Sequence, residues 1–210
     1  MYATDKNERS GGPAVEPPAW WRRLAWPPWD LALEPVSRAH AGRVRRVLTA
    51  EIARWLGIGA VDEMRAGTAV WAMESPALAA ERSAYRYLLE RSGRFAGVVE
   101  LRPDAVRGHI GYWLRRSERG RGTVTLANRL LLPIAFEGLG LRAVDWTTDA
   151  ENAASIAVVE RLGARIVSSG PSRVPGREVE VRYRLERRRF HADPTGPGGL
   201  RHLLHESDNE

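Results

Sequence analysis

Between Gly111 and Glu137 the sequence GYWLRRSERGRGTVTLANRLLLPIAFE sets an apolar strand, a loop of alternating Arg and Gly, and a long amphipathic helix in direct succession. Val124, Ala127, Leu130, Leu131, Ile134 and Ala135 recur at helical spacing, with Asn128, Arg129 and Glu137 off that face, so the helix opens at the loop itself. A strand feeding a helix in this way brings unpaired backbone N–H groups and the positive end of a helix dipole to one point. Gly120 and Gly122 let successive amides turn inward, Arg119 and Arg121 supply charge, and Thr123 and Thr125 supply hydroxyls. The combination suits a pyrophosphate.

Around this unit the chain divides into an arm, one domain and a tail. Gly11, Gly12, Pro13, Pro17, Pro18, Pro27 and Pro28 deny residues 1–28 regular structure, yet Trp20, Trp21 and Trp26 are too apolar for a solvated tail. The arm is expected to pack on its own domain or a dimer partner; a lid over the substrate site and an interfacial membrane contact are the sharper readings. The domain spans 29–190. It is expected to hold a strand from Trp29 to Pro35, helices at 37–48, 49–56 and 61–73, and a hairpin whose strands, 84–89 and 95–101, flank Ser92-Gly93. A third strand, 109–114, reaches the Arg/Gly loop. After the long helix come a strand at 143–147, a helix at 153–162, strands at 165–168 and 178–185, and a Gly/Pro loop at 169–176 between those two strands. Residues 191–210 read as a flexible tail.

Composition limits the function classes. The 210 residues carry no Cys, which excludes disulfides and a thiol nucleophile and makes a cytoplasmic protein the simplest expectation. MYATDKNERSGG lacks the apolar region of a secretory signal, and no apolar run approaches membrane-spanning length. The formal charge is +6, and Lys6 is the only lysine among 32 basic residues. Those Arg residues are spread along the chain and interleaved with 26 acids, so nucleic acid is not expected as the main partner.

Arg119-Gly120-Arg121-Gly122-Thr123-Val124 resembles the cofactor motif of the GNAT superfamily of N-acetyltransferases, Arg/Gln-x-x-Gly-x-Gly/Ala, with Val124 in place of the usual small residue. GYWLRR, AFEGLGL, the run Asp149 to Ser155 and Leu162-Gly163-Ala164 follow the order found in the branch that resembles ribosomal-protein N-terminal acetyltransferases. The resemblance implies an α/β (α+β) fold, a twisted, mixed but mostly antiparallel sheet of six to seven strands with about four helices, splayed to admit acetyl-CoA. It further implies that backbone groups of Trp113, Leu114 and Arg115 pair with the pantetheine arm, that Asn152 hydrogen-bonds that arm, and that Ser155 lies near the thioester sulfur. A homodimer is a state that this branch often adopts.

Attack of an amine on a thioester needs a neutral amine, a polarised carbonyl and a proton for the departing thiolate. Ser155 is the candidate for that proton, with a plain helix first turn as the alternative, and Asn152 has capping as its alternative. Glu100 lies mid-strand on the face of Val98 and Arg102 and is the candidate base or acceptor contact; an ion pair with Arg102 or another Arg competes with that reading. Asp145, with Thr147 and Asp149 on its face, is a second acidic candidate for holding substrate. His109 precedes the cofactor strand and reads more readily as a strand residue than as a base, and His191, His202 and His205 form no metal-ligand pattern. The expected activity is direct acetyl transfer to a primary amine of a small molecule or peptide. A ribosomal-protein acetyltransferase and a non-catalytic acyl-CoA-binding or regulatory module are the alternatives.

Overall fold

The computed structural model describes residues 17–18, 20–172, 174 and 177–191; of the tail expected at 191–210 only His191 is described, as the end of a helix, and the first part of the arm and residues 192–210 lie outside the described residues. The strands are β1 (Leu24–Trp26), β2 (Leu31–Pro35), β3 (Tyr85–Arg91), β4 (Arg94–Asp104), β5 (Arg107–Leu114), β6 (Ala143–Asp149), β7 (Arg165–Pro171) and β8 (Val179–Glu186). The helices are α1 (Ala41–Arg45), α2 (Ala50–Leu56), α3 (Val61–Ala80), α4 (Thr123–Pro133), α5 (Ala153–Arg161) and α6 (Arg187–His191). The strands form one sheet in the order β1-β2-β3-β4-β5-β6-β8-β7. Every pairing is antiparallel except β5 with β6. This is the mixed, mostly antiparallel α/β architecture expected, with eight strands among the described residues rather than six or seven.

Period-two alternation along the central strands splits the core into two. Leu33, Tyr87, Val99, Ile110 and Trp146 face Ala127, Leu131 and Phe136 on the side of α4 and α5. Leu88 and Val98 face the other way, onto Val44, Leu48, Ile52 and Ala72 from α1 to α3. Each Leu, Ile, Val or Phe among them withdrawn from water stabilises the fold by roughly 1.5–3 kcal/mol. Within this frame Asn128, expected off the apolar face of α4, is buried. Its Nδ2 donates to the Val124 carbonyl (2.8 Å) and its Oδ1 accepts from Trp146 Nε1 (2.9 Å), which ties α4 to β6.

The feature that makes room for a site is the parting of β5 from β6. β5 pairs with β4 from Asp104↔Arg107 to Gly97↔Leu114, and β6 pairs with β8 from Ala143↔Glu186 to Asp149↔Glu180. β5 and β6 meet only at Arg107↔Ala143, Gly108↔Val144 and His109↔Asp145. Beyond His109 the strands diverge. On its other side β5 adjoins a bulged strand: the register of β4 against β3 shifts between Leu89↔Gly97 and Glu90↔Phe95 and leaves Ala96 unopposed. A Cβ at Gly97 would lie 2.2 Å from the Trp113 carbonyl oxygen, so only glycine lets β4 follow β5 this closely.

Several local expectations are corrected. The arm contributes β1, which pairs with β2, and Trp20 packs on Tyr85 with ring centroids 4.5 Å apart. Tertiary pairing here overrides the surrounding prolines. The helix expected from Ser37 to Leu48 is a short 3-10 turn and α1, and α3 continues through Pro76 to Ala80. One turn before that proline the Trp71 carbonyl accepts from Ser75 Oγ (2.9 Å) and Arg86 Nη1 (2.8 Å), which ties α3 to β3. β7 extends to Pro171, where a loop is expected from residue 169, because β8 supplies its ladder partners.

Candidate active site

The Arg/Gly loop forms as its sequence requires. Gly120 and Gly122 adopt φ of +73° and +76°, and Gly122 is the residue before the first turn of α4. Within that turn Leu126 N–H already bonds the Gly122 carbonyl, so the amides of Thr123, Val124 and Thr125 precede the helical ladder and remain for an anion. The side chains do something different from what their types suggest. Arg119 pairs with Glu51 of α2 at 2.5 Å, and that bond holds the Glu51 carboxyl below the ordinary range. Thr123 is buried and its hydroxyl accepts from Arg91 Nη1 (2.9 Å), which also bonds the Arg121 carbonyl (2.7 Å). Arg91 therefore braces the loop from the end of β3. Nothing local in the sequence marks it, because its partners lie 30 and 32 residues away. Val124 turns its branched side chain into the core, 4% exposed, so the departure from a small residue is absorbed by packing.

From the loop the free edge of β5 leads to α5. Arg115 N–H bonds the Ala96 carbonyl, and alternation along an antiparallel pair then directs the backbone groups of Trp113 and Gly111 to β4 as well. Of the three residues expected to pair with a ligand, only Leu114 faces the gap through its backbone. Tyr112, not expected from sequence, faces it beside Leu114. The Arg115 guanidinium bonds the Phe95 carbonyl at 3.2 Å, so this residue serves the β4 bulge.

Across the gap, Asn152 caps α5 by accepting the Ser155 N–H at 3.1 Å, which leaves its side-chain NH2 as donor. Tyr112 reaches over from β5 to place its hydroxyl 3.0 Å from Ser155 Oγ and 3.4 Å from the Ser155 carbonyl. Burial pushes the Tyr112 phenol up to about 12, with the Ser155 bond acting in the opposite direction, so Tyr112 is a neutral hydroxyl at physiological pH. The pair forms a two-hydroxyl chain at the mouth of the first turn of α5.

The expected acidic residues sit on the opposite face of the sheet and are already engaged. Glu100 Oε2 accepts from Arg86 Nε at 2.8 Å and its Oε1 meets Arg102 Nε. Asp145 is held in bidentate fashion by Arg184, at 2.6 and 2.7 Å. Asp149 is buried and accepts the Glu151 N–H at 2.8 Å. Glu100 and Asp145 thus carry ion pairs, the alternative weighed for Glu100 in the sequence. His109 is half-buried between them. Burial and then Arg102 push its imidazole below the ordinary value, with Asp145 and Glu100 working weakly the other way and Arg182 with Arg102.

A family model described as an acetyltransferase (GNAT) domain matches residues 30–165. The Bacillus subtilis protein YdaF, provisionally named a ribosomal N-acetyltransferase, is 38% identical over 74 residues, which cover 34% of this chain and 40% of that protein. The chain thus matches less than half the length of this curated relative. Among solved structures, Mycobacterium smegmatis RimJ in complex with CoA-disulfide aligns with a TM-score of 0.67 and 22% identity, over 76% of this chain and 83% of that one. RimL, a ribosomal alpha-N-protein acetyltransferase in complex with coenzyme A, aligns with a TM-score of 0.64 and 19% identity, over 75% and 94%. At these identities the solved structures establish a common fold.

Proposed function

The chain belongs to the GNAT acetyltransferase family, and we propose that it transfers an acetyl group from acetyl-CoA directly to the primary amine at the end of a peptide or protein. The observation that carries this reading is the departure of β5 from β6 after His109, which leaves a free strand edge between the amides of the Arg/Gly loop and Ser155. The loop amides suit the CoA pyrophosphate, Tyr112 and Leu114 offer backbone groups to the pantetheine amides, and the Asn152 side-chain NH2 adds a donor. Acetyl-CoA supplies the activated thioester. In this reading Ser155 Oγ–H protonates the departing sulfur and the Tyr112 hydroxyl, 3.0 Å from Ser155 Oγ, donates to it as that proton leaves.

The acceptor reading rests on the relatives' names and on shape. β6, β8 and β7 line up Asp145, Arg184 and Arg165 in one row and Thr147, Arg182 and Ser168 in the next, and Arg165, Ser168 and Arg182 are exposed. An open polar shelf suits a chain end better than an enclosed small molecule, which pockets normally bury. Calorimetric titration with acetyl-CoA followed by mass spectrometry of a peptide and amine panel tests the reading. A gain of one acetyl group on peptide α-amines is expected. No binding of acetyl-CoA would remove the transferase reading, and acetylation confined to small polyamines or aminoglycosides would replace the acceptor.

A further inference from the structure

We infer that His109 is the general base that takes a proton from the acceptor ammonium, an assignment that rests on the transferase reading above. The two carboxylates that lie nearest are occupied. Glu100 is shared between Arg86 and Arg102, and Asp145 gives both oxygens to Arg184. Each carboxylate is already committed to a charge-assisted ion pair. The His109 ring makes no hydrogen bond or ion pair among the described residues, so a ring nitrogen keeps its lone pair for an incoming group.

Placement supports the same assignment. His109 is the last residue of β5 to pair with β6, opposite Asp145, and stands at the apex of the gap. Cross-strand it faces Arg102 of β4, and Arg182 of β8 also acts on it. With Glu100 and Asp145 each neutralised by Arg, the surplus around the ring is positive, which keeps imidazole in its neutral, proton-accepting form. An ammonium arriving from the shelf gives one proton to the imidazole, leaving a neutral amine and an imidazolium that returns the proton to water. The amine nitrogen then forms the C–N bond as the C–S bond breaks. Its second proton balances the one delivered to sulfur through Ser155.

The test uses the full chain, acetyl-CoA, and Ser-Ala-Ala and Ala-Ala-Ala as acceptors, with His109→Gln as the variant. At pH 6.5, where a free α-amine is mostly ammonium, the variant is expected to lose about 100-fold or more in kcat. At pH 9, where the amine is already neutral, most of that loss should disappear. Acetyl-CoA affinity should stay within about twofold. A loss of equal size at both pH values, or turnover within about threefold of the parent at pH 6.5, would overturn the assignment. If the parent binds acetyl-CoA but acetylates neither peptide, the peptide reading fails separately. In that case, or if the variant does not fold, an NMR titration of His109 in the parent decides. A neutral ring at pH 7 supports the base, and an imidazolium at pH 7 rules it out.

Discussion

The hydroxyls of Tyr112 and Ser155 lie 3.0 Å apart and join β5 to the first turn of α5 across the gap where β5 and β6 separate. One residue comes from a strand and the other from a capped helix start, and 43 residues of chain separate them. Their bond makes Ser155 more than a residue of a capped turn.

If Ser155 donates the proton and Tyr112 supports it, Ser155→Ala should lower kcat by about 100-fold and Tyr112→Phe by roughly tenfold, the worth of one hydrogen bond to a reacting group. Acetyl-CoA affinity, read by calorimetry, should change little in either. Equal kcat in parent and Ser155→Ala enzyme would exclude the hydroxyl from the reaction.

Arg91 braces the loop through the Arg121 carbonyl and Thr123 hydroxyl. Arg91→Ala should weaken acetyl-CoA binding by at least about tenfold, the roughly 1.5–3 kcal/mol of charge-assisted hydrogen bonds, while circular dichroism stays unchanged. Calorimetry showing the parental Kd would mean that the loop holds its shape unaided.

Glu100 stabilises two guanidinium groups, of which Arg86 is buried. Glu100→Gln should therefore cost about 1–3 kcal/mol in urea unfolding, because Arg86 remains buried without a charged partner. A base would instead show lost turnover at unchanged stability.

His109 gives stability a pH dependence. Its folded-state pKa lies below the unfolded value near 6.5, so on acidification the unfolded chain binds its proton first and gains stability relative to the fold. Unfolding free energy should thus fall as pH drops through about 6.5, with a smaller slope in His109→Gln. Urea midpoints measured from pH 7.5 to 5 compare the two slopes, and identical slopes would contradict a neutral, half-buried ring.

The Tyr87 hydroxyl is buried without a hydrogen-bond partner among the described residues. Tyr87→Phe removes that unsatisfied group at nearly constant volume and should raise stability by about 1 kcal/mol. A lower urea midpoint would mean that the hydroxyl has a bridging water.

The parts whose causes are local are legible in the residues alone. The periodic apolar face defines α4, Gly120 and Gly122 hold the positive φ that the loop needs, and Asn152 caps α5. Alternation marks β3, β4 and β5 along most of their length. What each charged group does depends on contacts that folding makes across the sheet. Glu100 and Arg86 are 14 residues apart, Asp145 and Arg184 are 39 apart, and Tyr112 and Ser155 are 43 apart. In a chain with 31 arginines, types and spacing leave many partners open for each acid, and the sheet order selects among them. The same order separates β5 from β6 just past His109, which is why the site opens there.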